Sequence, residues 1–174
     1  MGFLFYGILC RFEFTNVQGE TMLKLIRHIC IVSIFSSLII AGDAEDVKKT
    51  IEDSYAYLNK TKKTINDYSK DGGLEFWSSG GLLQSIEPSG RGEVYEDVNI
   101  TPKHINVIVL APGKAAVAMY YSEGYLKPRN SAEVNHYLTR VSQTFVKEDG
   151  KWKTRSSHWS PVKGGFGTSQ TGLE

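Results

Sequence analysis

The chain has 174 residues, 41% of them hydrophobic and 22% charged, with a formal net charge of +1. That is enough chain and enough apolar content for one domain with a real core. The lysines are scattered and the charge is close to neutral, which excludes the basic footprint of a dedicated nucleic-acid binder.

The first 21 residues, "MGFLFYGILCRFEFTNVQGET", stand in front of a stretch that is already complete as an export signal and read as an over-extended start. From Met22, Lys24, Arg27 and His28 form a basic head, and Ile29 to Ile40 is an apolar run broken only by Cys30 and three serines. Gly42 and Ala44 put small residues at −3 and −1 of a cut after Ala44, so residues 22–44 read as a secretory signal peptide. The run is about a dozen residues against the roughly 20 that a spanning helix needs. No stable membrane span is therefore expected after cleavage, and the mature chain should be periplasmic or secreted. Both cysteines, Cys10 and Cys30, fall in this leader, so the domain over 45–162 has no thiol chemistry of its own.

From Glu45 the pattern is helical: Val47, Ile51, Tyr55, Leu58, Ile65 and Tyr68 recur at spacings of three, four and seven. Either one long helix or two, broken near Asn59-Lys60-Thr61, should end on Asp71-Gly72-Gly73 as on a glycine cap. Of Tyr55 and Tyr57 only one can face a core, and the period selects Tyr55. "LEFWSSGGLLQSI", Leu74 to Ile86, reads as a short helix, a tight turn and a further apolar piece, followed by the loop "EPSGRG".

Beyond Glu93 the period changes to two. "VYEDVNI", "HINVIVL", "AAVAMYYSEGYL", "VNHYLTRVSQTFVKE" and "KWKTRSSHWSPV" read as strands. Ala111–Lys114 makes one turn, and Asp149-Gly150 carries the strongest hairpin signal in the chain. The tail 163–174 is rich in Gly, Ser and Thr and reads as flexible. Helices followed by a run of strands make an α+β plan: N-terminal helices packed on a strongly curved antiparallel sheet, a cone with a pocket.

With Asp149-Gly150 as a two-residue turn, Phe145 falls opposite Thr154, Gln143 opposite Ser156 and Val141 opposite His158. Alternation then sets Tyr137, Gln143, Ser156 and His158 on one face among aromatics, the composition expected of a small-molecule cavity. Arg140 and Trp159 fall opposite one another on the other face. Tyr55, Trp77, Tyr121, Tyr137, Gln143, Ser156 and His158 are the candidate ligand contacts. His158 and Glu123, which shares a strand face with Tyr121, are the candidate acid–base groups. His104 and His136 lie apart with no ligand spacing, so neither a metal nor another cofactor is expected.

Phe145, Asp149 to Trp152, His158 and Ser160 together form a pattern that resembles the closing hairpin of the nuclear transport factor 2-like superfamily. It is most similar to the SnoaL-like proteins and to the association (hub) domain of calcium/calmodulin-dependent protein kinase two. The resemblance implies a cystatin-like α+β cone and a homodimer through the sheet. It leaves function open, because that fold hosts isomerases, dehydratases, cyclases and assembly modules. Tyr121, Gln143 and Trp159 stand where the hub carries arginines that take carboxylates, so capture of an anion by that set is not implied. The expectation is an exported domain that binds a small apolar or amphipathic molecule. An isomerase or lyase, or an oligomerisation module, is the alternative.

Overall fold

A computed structural model of the protein describes residues 42–162. Residues 42–61 form a helix, α1, and six strands follow: β1 (Gly73–Phe76), β2 (Gln84–Ile86), β3 (Tyr95–Ala111), β4 (Ala115–Pro128), β5 (Val134–Glu148) and β6 (Lys151–Pro161). They make one sheet in the order β2-β1-β6-β5-β4-β3. Among the described residues the fold is α+β, with a single helix packed in the hollow of a curled, unclosed sheet. The sheet is mixed rather than antiparallel throughout, because β1 runs parallel to β6.

Val47, Ile51 and Tyr55 are the buried stripe of α1. They meet Val98 and Ile100 of β3, Ala116, Ala118 and Tyr120 of β4, Val141 and Phe145 of β5, and Trp152 of β6. The two alanines lie in the strand that the helix crosses, where small side chains let a helix approach closely. Tyr57, on the opposite side of α1, is exposed.

Both ends of α1 are tied by polar groups. Asp43 is buried, and its carboxylate accepts from the Gly113 amide at 2.6 Å and from Lys147 Nζ at 3.0 Å. Burial alone would raise this carboxyl. The Gly113 amide and the Lys147 ammonium outweigh it and hold it below the ordinary value of 3.8. At the other end the Asn59 side chain imitates a strand: Nδ2 donates to Ile100 O at 2.8 Å and Oδ1 accepts from Ile100 N at 2.9 Å.

Several expectations are corrected here. The helix stops at residue 61, with Lys62 at φ 60°, so Ile65 and Tyr68 belong to no helix. Residues 62–64 instead bond to 93–95, through Tyr95 N to Lys62 O at 2.8 Å and Thr64 N to Glu93 O at 3.0 Å. Leu74 to Ile86 holds no helix but β1, a turn and β2. Gly72 caps nothing: it sits at φ 72°, and a Cβ there would collide with the Ile86 carbonyl. The two pieces expected before the first turn are one strand, β3, bulged between Lys103 and Asn106 with His104 at φ 54°.

The two expected turns are present. Asp149 and Gly150 adopt φ 49° and 75°, as a mirror-type hairpin turn requires, and Lys114 N bonds Ala111 O at 3.0 Å. The pairing beyond the Asp149 turn is where one residue changes the outcome. Phe145 pairs with Thr154 as expected, but Thr144 pairs with Ser156, so Arg155 is an extra residue in β6. From there on every side chain of β6 is on the opposite face to the one plain alternation assigns. Gln143 pairs with Ser157, Val141 with Trp159, and Arg140 with Ser160. The far edge of β6 is covered at this point by residues 67–69, through Ser69 N to Thr154 O at 2.9 Å and Thr154 N to Asp67 O at 2.8 Å.

The calls on residues 1–41 and 163–174 lie outside the described residues. Ala44, the expected cleavage position, lies within α1. Among the described residues no helix is long and apolar enough to cross a membrane.

In the uncleaved chain Asp43→Ala should lower the stability of the domain by roughly 2 kcal/mol, since it removes two hydrogen bonds made to a charged acceptor, one of them from an ammonium. The native carboxyl has the lower proton affinity. Its contribution is therefore complete above pH 3.8, the unfolded-state value, and is lost as the pH falls below it. Urea unfolding of both proteins between pH 3 and 7 should show the gap narrowing on the acid side.

Candidate functional site

Beyond the crossing point of α1 the sheet leaves space under its C-terminal half. A cavity of about 640 Å³ lies between Tyr55 and Leu58 of α1, the segment around Arg91 to Tyr95, and the inner faces of β4, β5 and β6. Its wall is largely apolar, with Ile100, Leu126, Tyr137 and Trp159 among the contributors. A smaller hollow of about 60 Å³, lined by Asp67, Tyr68, Tyr120 and Gln143, shares Tyr55, Leu58, Thr64, Arg91 and Trp159 with the larger one.

The candidate residues divide between the two faces of the sheet. Tyr55 lines both spaces, Trp77 and Tyr137 line the larger, and Gln143 lines the smaller. Ser78 and Tyr137 are joined hydroxyl to hydroxyl at 3.2 Å, which ties the turn after β1 to β5. Tyr121 and Glu123 are on the outer face of β4. Tyr121 is 43% exposed there, with its ring edge-on to His104 at 6.2 Å. The extra residue in β6 turns Ser156 and His158 to the outer face as well, correcting the expectation that both look into the cone. His158 is exposed and lies edge-on to Phe76, ring centroids 5.6 Å apart. Tyr120, Ser157 and Trp159 take the inner positions.

A hydrogen-bonded row of side chains crosses the inner face. The Tyr55 hydroxyl lies 3.5 Å from the Tyr120 hydroxyl, which donates to Gln143 Oε1 at 2.6 Å, and Gln143 Nε2 donates to Ser157 Oγ at 3.2 Å. Burial raises the proton affinity of both phenols far above the ordinary value, so they are donors and not phenolates. Tyr120 also stacks edge-on against Trp159, centroids 6.5 Å apart.

The charged part of the site is a cluster that the sequence patterning passes over. Glu75, only 1% exposed, accepts from the Tyr68 hydroxyl at 2.5 Å and from Trp77 Nε1 at 3.0 Å. It is in β1, opposite Ser157. Arg91 NH1 stands 3.5 Å from Glu75 and 3.6 Å from Glu93, and Glu93 in turn accepts from the Tyr95 hydroxyl at 2.9 Å. Burial works against the charge on Arg91, but the carboxylates of Glu93 and Glu75 outweigh it and raise the proton affinity of the guanidinium. Asp67 lines the small hollow and takes a 3.4 Å hydrogen bond from Ser54. Burial pushes its carboxyl above the ordinary 3.8, against the pull of Arg91.

One of these groups, Tyr120, could have been found in the sequence. Ala116 and Ala118 share their parity with Tyr120, and a pair of alanines in an otherwise bulky strand marks the side that a helix covers. Arg91, within "SGRGE", and Glu75, within "GLEFW", carry no periodic signal at all. Among the described residues no group of three or more His, Cys, Asp or Glu side chains gathers as a metal site would require.

No protein-family model matches this chain, and no curated protein sequence matches it. Solved structures do. A nuclear transport factor 2-like protein of unknown function from Pseudomonas putida is 15% identical over 69% of this chain and 87% of its own, with a TM-score of 0.49. The calcium/calmodulin-dependent kinase II hub homology domain of Chlamydomonas reinhardtii is 17% identical over 70% and 98%, with a TM-score of 0.48. A nuclear transport factor 2-like superfamily protein from Salmonella enterica is 18% identical over 76% and 97%, with a TM-score of 0.45. Several of the chain's structural neighbours are thus nuclear transport factor 2-like proteins.

Glu75→Leu should destabilise the domain by roughly 3–5 kcal/mol, because it strands the buried Tyr68 hydroxyl, takes the acceptor from the Trp77 indole and removes a counter-charge of Arg91. Glu75→Gln keeps an acceptor for Tyr68 and should cost less. Urea midpoints of the two variants measure the difference.

Proposed function

We propose that this chain is an exported domain that binds a small, largely apolar molecule in the cone and pairs with a second copy through the outer face of its sheet. The cavity carries the reading. Its volume of about 640 Å³ falls within the range of small-molecule sites, and its wall is mostly apolar in area, with polar side chains spread through it, Arg91, Ser122, Arg129 and His136 among them. Tyr55, Trp77 and Tyr137 contribute aromatic surface, and the Ser78–Tyr137 contact closes one side.

Dimerisation is supported by the opposite face. Ile108, Leu110 and Met119 are 57%, 60% and 54% exposed on neighbouring strands, with Tyr121 beside them, and soluble chains seldom leave such a patch uncovered. Export rests on the layout of residues 22–44 alone.

A second reading, an isomerase or lyase, is favoured by one observation. Asp67 is a carboxyl of raised proton affinity lining a hollow with the Tyr55 and Tyr120 phenols, a combination suited to proton transfer. His158 and Glu123, on the outer face, do not contribute to that geometry.

Native mass spectrometry of the protein purified from its own host should show a dimer carrying a retained small molecule. Leu126→Trp, which sets an indole into the cavity where Leu126 lines it, should return a folded dimer with much less of that mass, and a ligand retained in full by this variant would refute the cavity as its site. Met119→Glu, on the outer face, should give a monomer that still carries the ligand. If turnover of that ligand is detected and Asp67→Asn abolishes it while leaving binding intact, the enzyme reading replaces the binding one.

A further inference from the structure

The environment of Arg91 restricts the kind of molecule the cavity can take. A guanidinium has five N–H donors, and charge-assisted hydrogen bonds to carboxylates run at about 2.7–2.9 Å. The two carboxylates beside Arg91 stand at 3.5 and 3.6 Å, both on the same terminal nitrogen, and Nε is fully buried without a partner among the described residues. The donors of Arg91 are therefore underused, while its charge is not: within 3.6 Å of it Glu75 and Glu93 bring two negative charges against its one. The other arginine of the cavity lining, Arg129, is exposed and its charge acts on Glu96. Arg91 lines both the larger cavity and the small hollow behind it.

Unfilled donors attract an acceptor, and an already negative surround repels an anion. We propose that the ligand is an uncharged apolar molecule with an oxygen acceptor, a ketone, ester or amide carbonyl, seated on Arg91, and that the site discriminates against the corresponding carboxylate. Charge sets this preference, not the size of the space. The inference rests on the reading of the cavity as a binding site.

Three matched probes test it by isothermal titration calorimetry at pH 7: 2-acetylnaphthalene, 2-ethylnaphthalene and 2-naphthoate. They share one ring system and differ in offering a neutral acceptor, no acceptor, or an anion. The ketone should bind roughly tenfold more tightly than the hydrocarbon, the worth of one hydrogen bond to a charged donor, and more tightly than the carboxylate. In the double variant Arg91→Met/Glu75→Gln, which removes both charges of the buried pair together, the ketone should lose its advantage over 2-ethylnaphthalene, and Leu126→Trp should bind all three much more weakly. Equal binding of ketone and hydrocarbon, or tightest binding of 2-naphthoate, overturns the inference and leaves the cavity reading standing. No binding of any probe by the parent protein overturns both. Should the double variant fail to fold, the ranking of the three probes on the parent protein still decides.

Discussion

The interior of this domain depends on a single surplus residue in its last strand. β6 spends three residues, Thr154 to Ser156, where β5 spends two, and the side chains that follow are turned over as a consequence. Trp159 then enters the cavity wall, Ser157 meets Gln143, and Glu75 of β1 comes to lie inside next to Ser157. Without the surplus residue, Ser156 and His158 would occupy the places of Ser157 and Trp159. The irregularity is held from outside: residues 67–69 dock on Thr154, and Glu148 takes the Ser69 hydroxyl at 2.7 Å and the Lys70 amide at 3.0 Å.

Packing and chemistry are separated along α1. Its first three turns present Val47 and Ile51 to alanines and to Trp152, a dry contact that fixes the helix on the sheet. Its last turns present Tyr55 and Leu58 to open space. The same helix is thus core at one end and cavity wall at the other, and Tyr55 stands at the boundary, bonded to Tyr120 on one side and lining both hollows on the other.

The bounds of β4, β5 and β6, both tight turns and the inward tyrosine of α1 were legible because each follows from a local rule: a period of two, a pair of residues tolerant of positive φ, a period of 3.6. What was not legible arises from contacts distant in sequence. The bulge at Arg155 answers to a segment almost ninety positions earlier. β1 and β2 are too short to show a period, and apolar residues around Ser78–Gly81 imitate a helix. On β4 the aromatic Tyr121 drew attention from the alternation set by Ala116 and Ala118, and so from Tyr120. Arg91 and Glu75 make sense only once the loop and the edge strand are brought together.

The seating of Asp43 bears on the order of events in the life of the chain. Peptidases engage extended backbone, whereas the bond after Ala44 is wound into a helix whose first turn is fastened to the far end of the sheet. If a leader is removed at that bond, the scission has to come before the domain closes. The trimmed molecule then assembles without the carboxylate that clasps Gly113 and Lys147, so precursor and product would be two proteins of unequal robustness built on one fold.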